Sequence, residues 1–147
     1  MNVTGCNDFN LRSGFVREFS KGLGAISLFT EDLPASRSFY KDVLGLSLIF
    51  EDEASAVFSF GDSVINLLQA TNAVDLIGPA VVAGPDTGNR FQLTVWVDDT
   101  DAVVADLQSR GVTFINGPIG RPWGMRTACF ADPAGHNWEV AQNLNRA

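Results

Sequence analysis

Apolar and polar positions along this chain run through the same succession twice. In the first pass, residues 24–29 form a short apolar run with Ile26, Leu28 and Phe29, which predicts a buried strand. Leu33-Pro34 breaks it, and Pro34 suits the first turn of a helix that Asp32 caps. A helix from about residue 35 brings Phe39, Val43 and Leu44 to one face and stops at Gly45. Strands follow over 46–51, 54–60 and 63–69, with Gly61-Asp62 as the hairpin turn. The second pass has a strand over 91–97 and a helix carrying Ala102, Val103, Val104, Ala105 and Leu107 that ends at Gly111. It continues with a strand over 112–115, a Gly/Pro-rich loop over 117–124 and strands over 125–130 and 136–142. The last two are turned by Asp132-Pro133-Ala134-Gly135.

Setting Ala25 against Gln92 also sets Asp32 against Asp99, both pairs being 67 residues apart. A repeat of that length is too long for a solenoid unit and predicts two packed modules. The expected fold is α+β: two βαβββ modules, about 23–72 and 89–144, whose curved sheets surround a cavity. They make up a single domain over 23–147, with residues 71–89 as connector or pocket rim. Residues 1–22, where Phe9, Phe15 and Phe19 show no period, read as a surface-draped arm. The alternative is that these aromatics pack on a partner subunit.

At 147 residues the chain suffices for one domain with a real core, and 46% hydrophobic against 18% charged residues is a globular composition. The net charge of −7 argues against nucleic acid and acidic membranes as partners. No apolar stretch is long enough to span a bilayer, and no leader-like segment opens the sequence, so a cytoplasmic location is expected. Cys6 and Cys129 lack metal-type spacing. Both are expected as reduced thiols, with Cys129 a small buried hydrophobe in a strand.

Residues 31–40 (EDLPASRSFY) with Leu44-Gly45, then Val97-Asp98-Asp99 with Leu107 and 110–112 (RGV), then 123–126 (WGMR) with 130–135 (FADPAG) and Glu139, carry a resemblance. In order and spacing they resemble the vicinal oxygen chelate superfamily, which includes glyoxalase I, extradiol dioxygenases, and bleomycin- and fosfomycin-resistance proteins. The resemblance covers about residues 23–144 and implies paired βαβββ modules, commonly assembled as a homodimer. Enzymatic members hold a divalent metal at positions that fall here on Ala25, Asn66, Gln92 and Glu139. Ala25 has no donor atom, and two carboxamides with a single carboxylate make a poor set, so no metal and no cofactor are expected. Asp98, Asp99 and Asp101 read as helix-start acids rather than a metal cluster.

Glu139 alternates with Trp138 and Val140, so it faces the cavity if those two pack inward, with Gln92 as an expected hydrogen-bond partner. His136, the only histidine, reads as a polar rim residue, or alternatively as a general base at the pocket mouth. Trp96 and Trp123 are candidate stacking surfaces, Trp123 because it sits in the Gly/Pro-rich loop. Arg121 and Arg126 flank that loop and are candidates to pair with Glu139 or a ligand anion. The expected ligand-binding set is Asn66, Gln92, Trp96, Trp123, Arg126 and Glu139. Two functions follow: a binding protein that takes a small aromatic molecule in a metal-poor cavity, or a metal-dependent lyase or ring-cleaving dioxygenase. Nothing marks a glutathione site.

Overall fold

Each half of the chain folds as strand, helix and three strands, in the order that the repeat implies. The computed structural model describes residues 22–145. Strand β1 (Ala25–Thr30) leads into α1 (Leu33–Ser38), which continues as a wider π-helical turn over Phe39–Val43. Strands β2 (Leu48–Glu51), β3 (Ser55–Phe60) and β4 (Ser63–Gln69) complete the first half. The second half is β5 (Leu93–Trp96), α3 (Thr100–Ser109), β6 (Phe114–Gly120), β7 (Met125–Ala131) and β8 (Asn137–Asn143). The connector is not plain loop, since it carries a 3-10 turn at Ala70–Asn72 and a short helix α2 at Val74–Ile77.

The expected caps form. Asp32 accepts the backbone N–H of Ala35 at 3.1 Å, and Asp99 accepts that of Ala102 at 3.0 Å, each closing a helix start. Gly45, at φ +72°, lets the chain leave α1 in a left-handed conformation that a side chain disfavours.

The strands form two four-stranded sheets, ordered β1-β4-β3-β2 and β5-β8-β7-β6. In each, the first and last strands of the module pair in parallel and the remaining pairs are antiparallel. Alternation then gives every sheet two faces. Leu28, Phe58, Ile65 and Leu67 of the first sheet and Ala128, Phe130, Trp138 and Val140 of the second bury themselves in one shared core with Tyr40, Val104 and Leu107. Because both sheets commit one face to that core, their other faces look outward. The two sheets therefore do not close over a common cavity within one chain.

Strand β6 runs further than expected, through the stretch read from sequence as loop. Register shifts at Phe114/Asn116 and Asn116/Ile119 absorb Gly117-Pro118 as a bulged segment, so pairing to β7 resumes at Ile119 and Gly120. The expected arm over 1–22, and Cys6 with it, lies almost wholly outside the described residues. Among the described residues no helix is long and apolar enough to cross a membrane.

Candidate functional site

The outward face of the second sheet collects most of the chemistry. Strand register lays two rows of side chains across it. One row runs Thr94–Glu139–Cys129–Asn116, and the next runs Trp96–Ala141–Thr127–Ile119. Their partners in alternation, Trp138, Val140, Ala128 and Phe130, are buried on the core side. That is why Glu139 emerges on the opposite face, as its neighbours in sequence imply.

Glu139 does not take its hydrogen bond from Gln92. The Thr94 hydroxyl donates to Glu139 Oε1 at 2.9 Å, while Gln92 Oε1 accepts the Cys129 thiol at 3.2 Å. Thr94 lies two residues beyond Gln92 on the same face, and register places it directly opposite Glu139. Cys129 is buried in a strand as expected, but on the outward face, where its sulfur joins this polar row. Burial pushes its thiol pKa up, the neighbouring Glu139 charge pushes it further, and Arg121 partly offsets both.

Arg121 reaches over the face from the end of β6. Its Nε donates to Thr127 Oγ1 at 2.9 Å, and its guanidinium carbon sits 5.8 Å from the centre of the Trp123 ring. Trp123 is 65% exposed and Trp96, across the sheet, is 72% exposed. The result is a polar strip with a largely uncovered indole at each end.

Arg126 is not part of this strip. On β7 it shares the parity of Ala128 and Phe130, so it leaves on the core side and reaches α3. There it forms a two-pronged pair with Asp101, Nε to Oδ2 at 2.8 Å and Nη2 to Oδ1 at 3.0 Å. The pair holds the Asp101 carboxyl below its usual range and raises the guanidinium pKa. Asn66 stands apart as well. It lies on the outward face of the first sheet, where its amide donates to Ser27 Oγ at 3.2 Å, and within one chain it does not meet Gln92 or Glu139.

His136 sits on the β7–β8 turn with its side chain 17% exposed and Nδ1 2.8 Å from Asp132 Oδ2. The same carboxylate accepts the Tyr40 hydroxyl at 2.6 Å, and Tyr40 in turn accepts the Trp138 indole N–H at 3.0 Å. This chain of bonds ties the two modules together on the core side, away from the Glu139 row. Sequence gave no sign of Tyr40 as a partner 92 residues away.

These residues do not fit the divalent cation that enzymatic relatives of the fold hold. Ala25 offers no donor, the Gln92 oxygen already accepts a thiol, and Glu139 is the only anion in its row. Among the described residues no three His, Cys, Asp or Glu side chains converge. An arrangement of one carboxylate with amides and hydroxyls suits hydrogen bonding to an organic ligand better than metal ligation.

Comparison with known proteins agrees with this architecture. A solved glyoxalase/bleomycin resistance protein/dioxygenase from Nocardioides superposes with a TM-score of 0.77 at 24% identity, covering 93% of this chain and 95% of that one. A glyoxalase-related enzyme from Fulvimarina pelagi gives 0.73 at 25% identity over 84% and 88% of the two chains. In sequence, the uncharacterised protein YraH of Bacillus subtilis (strain 168) is 34% identical over 123 residues, 81% of this chain and 96% of its own. Residues 22–140 match the model of the Glyoxalase/Bleomycin resistance protein/Dioxygenase superfamily. With the repeated βαβββ modules and the outward polar strip in place, the chain belongs to that superfamily, whose fold is that of the vicinal oxygen chelate proteins.

Proposed function

We propose that this protein binds a small, planar aromatic molecule against the outward face of its second sheet, without a metal. The observation that carries this reading is the pair of indoles, Trp96 at one end of the Thr127 row and Trp123 beside Arg121 at the other, both largely uncovered and one row from Glu139. Large aromatic surface beside a few fixed polar groups is the composition of a ligand site. Glu139, held by Thr94, and Arg121, braced on Thr127, supply one anchor of each sign.

A second copy of the chain is the natural cover for this face. Because the outward faces of the two sheets are separate within one chain, a homodimer that sets Asn66 and its sheet over the Glu139 row completes the cavity. The proposed setting is the cytoplasm, where Cys129 stays a thiol.

The test is a titration of tryptophan fluorescence with a panel of flat aromatic compounds, run beside elemental analysis of the purified protein. Binding predicts saturable quenching by at least one compound, weakened about three- to tenfold in Trp123→Ala or Trp96→Ala. Absence of quenching across the panel, or quenching that both variants leave unchanged, removes the strip as the site. One firmly held divalent ion per chain would replace the binding reading with metal-dependent lyase or dioxygenase chemistry.

A further inference from the structure

A separate cavity of about 240 Å³ lies where the connector crosses the end of β1 and the β7–β8 turn. It does not share a lining residue with the Glu139 row. Its floor is apolar, formed in part by Phe29, Ile77 and Phe91, and two opposite charges, Glu31 and Arg90, line it. Among the described residues neither of these forms an ion pair, with the other or with any third group.

The third polar wall is His136. Its Nδ1 is tied to Asp132, itself fixed by Tyr40, so the ring that lines the cavity cannot turn freely. With Nδ1 engaged by that carboxylate, Nε2 is the remaining polar atom of the ring.

Size and charge together narrow the occupant. Sites for drug-sized ligands run from about 300 Å³ upward, so this cavity suits something smaller. A ligand of one sign would be attracted by one wall charge and repelled by the other. A ligand with both signs and an apolar body answers all three walls.

We infer that this cavity binds a small zwitterion with an apolar side chain, the chemistry of a free α-amino acid. Its carboxylate faces Arg90, its ammonium faces Glu31, and its side chain rests on Phe29, Ile77 and Phe91 beside the His136 ring. This site is independent of the aromatic strip on the second sheet.

Because His136 is the only histidine in the chain, its imidazole proton resonances report on the cavity without ambiguity. The full chain is titrated with L-phenylalanine, with phenethylamine and with 3-phenylpropionate while those resonances are followed. L-Phenylalanine is expected to shift them saturably and to bind at least about threefold more tightly than either singly charged analogue. Arg90→Gln should bring L-phenylalanine down to the affinity of phenethylamine, and Glu31→Gln down to that of 3-phenylpropionate. Both residues are exposed, so neither change threatens the fold. Unmoved His136 resonances with all three compounds overturn the inference, as does an analogue that binds as tightly as the amino acid or an affinity indifferent to both variants. Quenching at the tryptophans with His136 unmoved would uphold the strip and reject this cavity, so the two sites fail separately.

Discussion

The indole N–H of Trp138 donates to the Tyr40 hydroxyl at 3.0 Å, and that hydroxyl donates onward to Asp132 at 2.6 Å. Tyr40 comes from the first module and both partners from the second, so one buried hydroxyl serves as the polar joint between them. Burial, and then the adjacent Asp132 charge, raise the Tyr40 pKa well above the usual tyrosine range, so the hydroxyl keeps its proton and donates. Tyr40→Phe should preserve the ring contacts with Phe39, Phe58 and Trp138 while leaving an indole donor and a carboxylate short of a partner. The expected loss is about 1–3 kcal/mol, read as a lower urea midpoint with an unchanged slope.

Acid stability should report on Asp132. Burial alone would raise its pKa, but the hydrogen bonds from His136 and Tyr40 and the His136 charge outweigh burial and leave it below the ordinary aspartate value. A carboxyl depressed in the folded state contributes stability that is present above its unfolded pKa, near pH 4, and lost as pH falls through the folded value. Urea unfolding from pH 5 down to pH 2 should therefore show stability falling with pH below about 4. Asp132→Asn should be less stable at pH 7 and shallower in that acid limb; equal slopes in both proteins would remove Asp132 as the source.

The halves of this fold were readable because their signals are local. Asp32 and Asp99 cap helices within three residues of themselves, Gly45 and Gly111 stop them, and alternation around Trp138 and Val140 fixed the side of the sheet on which Glu139 emerges. What sequence left hidden depends on pairing between strands far apart in the chain. Gln92 and Thr94 share one face, and only the β5–β8 register decides that Thr94, not Gln92, meets Glu139. The Arg126 misplacement has another source. Its neighbourhood to Trp123 in sequence suggested a common site, whereas the parity of β7 sends it to Asp101 on α3.

That parity yields a contrast between two arginines five residues apart in the β6–β7 region. Arg121→Ala removes the guanidinium beside Trp123 and the bond to Thr127, and should weaken quenching ligands about threefold or more. Arg126→Ala severs only the exposed pair with Asp101 and should leave ligand affinity and the unfolding midpoint nearly unchanged. Equal losses of affinity in the two variants would show that the strip extends to the core side of β7.

Gly117 should be among the least tolerant positions of β6. It has φ +82°, and a Cβ there would strike the Thr127 carbonyl oxygen and come within 2.7 Å of Ala128 Cα. Those are backbone atoms of the paired strand, so relief requires β6 and β7 to separate. Gly117→Ala combines left-handed strain with overpacking, and a loss of about 2–4 kcal/mol is expected in urea unfolding. A loss below about 0.5 kcal/mol would mean that the bulge relaxes without disturbing β7.

The Cys129 thiol offers a direct probe of the Glu139 charge. Burial raises its pKa first and Glu139 adds to that, so alkylation by iodoacetamide should be slow at neutral pH and accelerate only in the alkaline range. Glu139→Gln removes the negative charge while keeping the side chain's length and leaves the burial contribution in place. In a Cys6→Ser background, which confines the reaction to one sulfur, the pH of half-maximal alkylation should move to a lower value in Glu139→Gln. The sign follows from electrostatics: a thiolate forms more readily once the carboxylate opposite it across the β7–β8 pair is gone. A profile that stays in place would mean that solvent screens Glu139 from the sulfur, and the polar row would then lack the low-dielectric coupling on which its role as a ligand anchor depends.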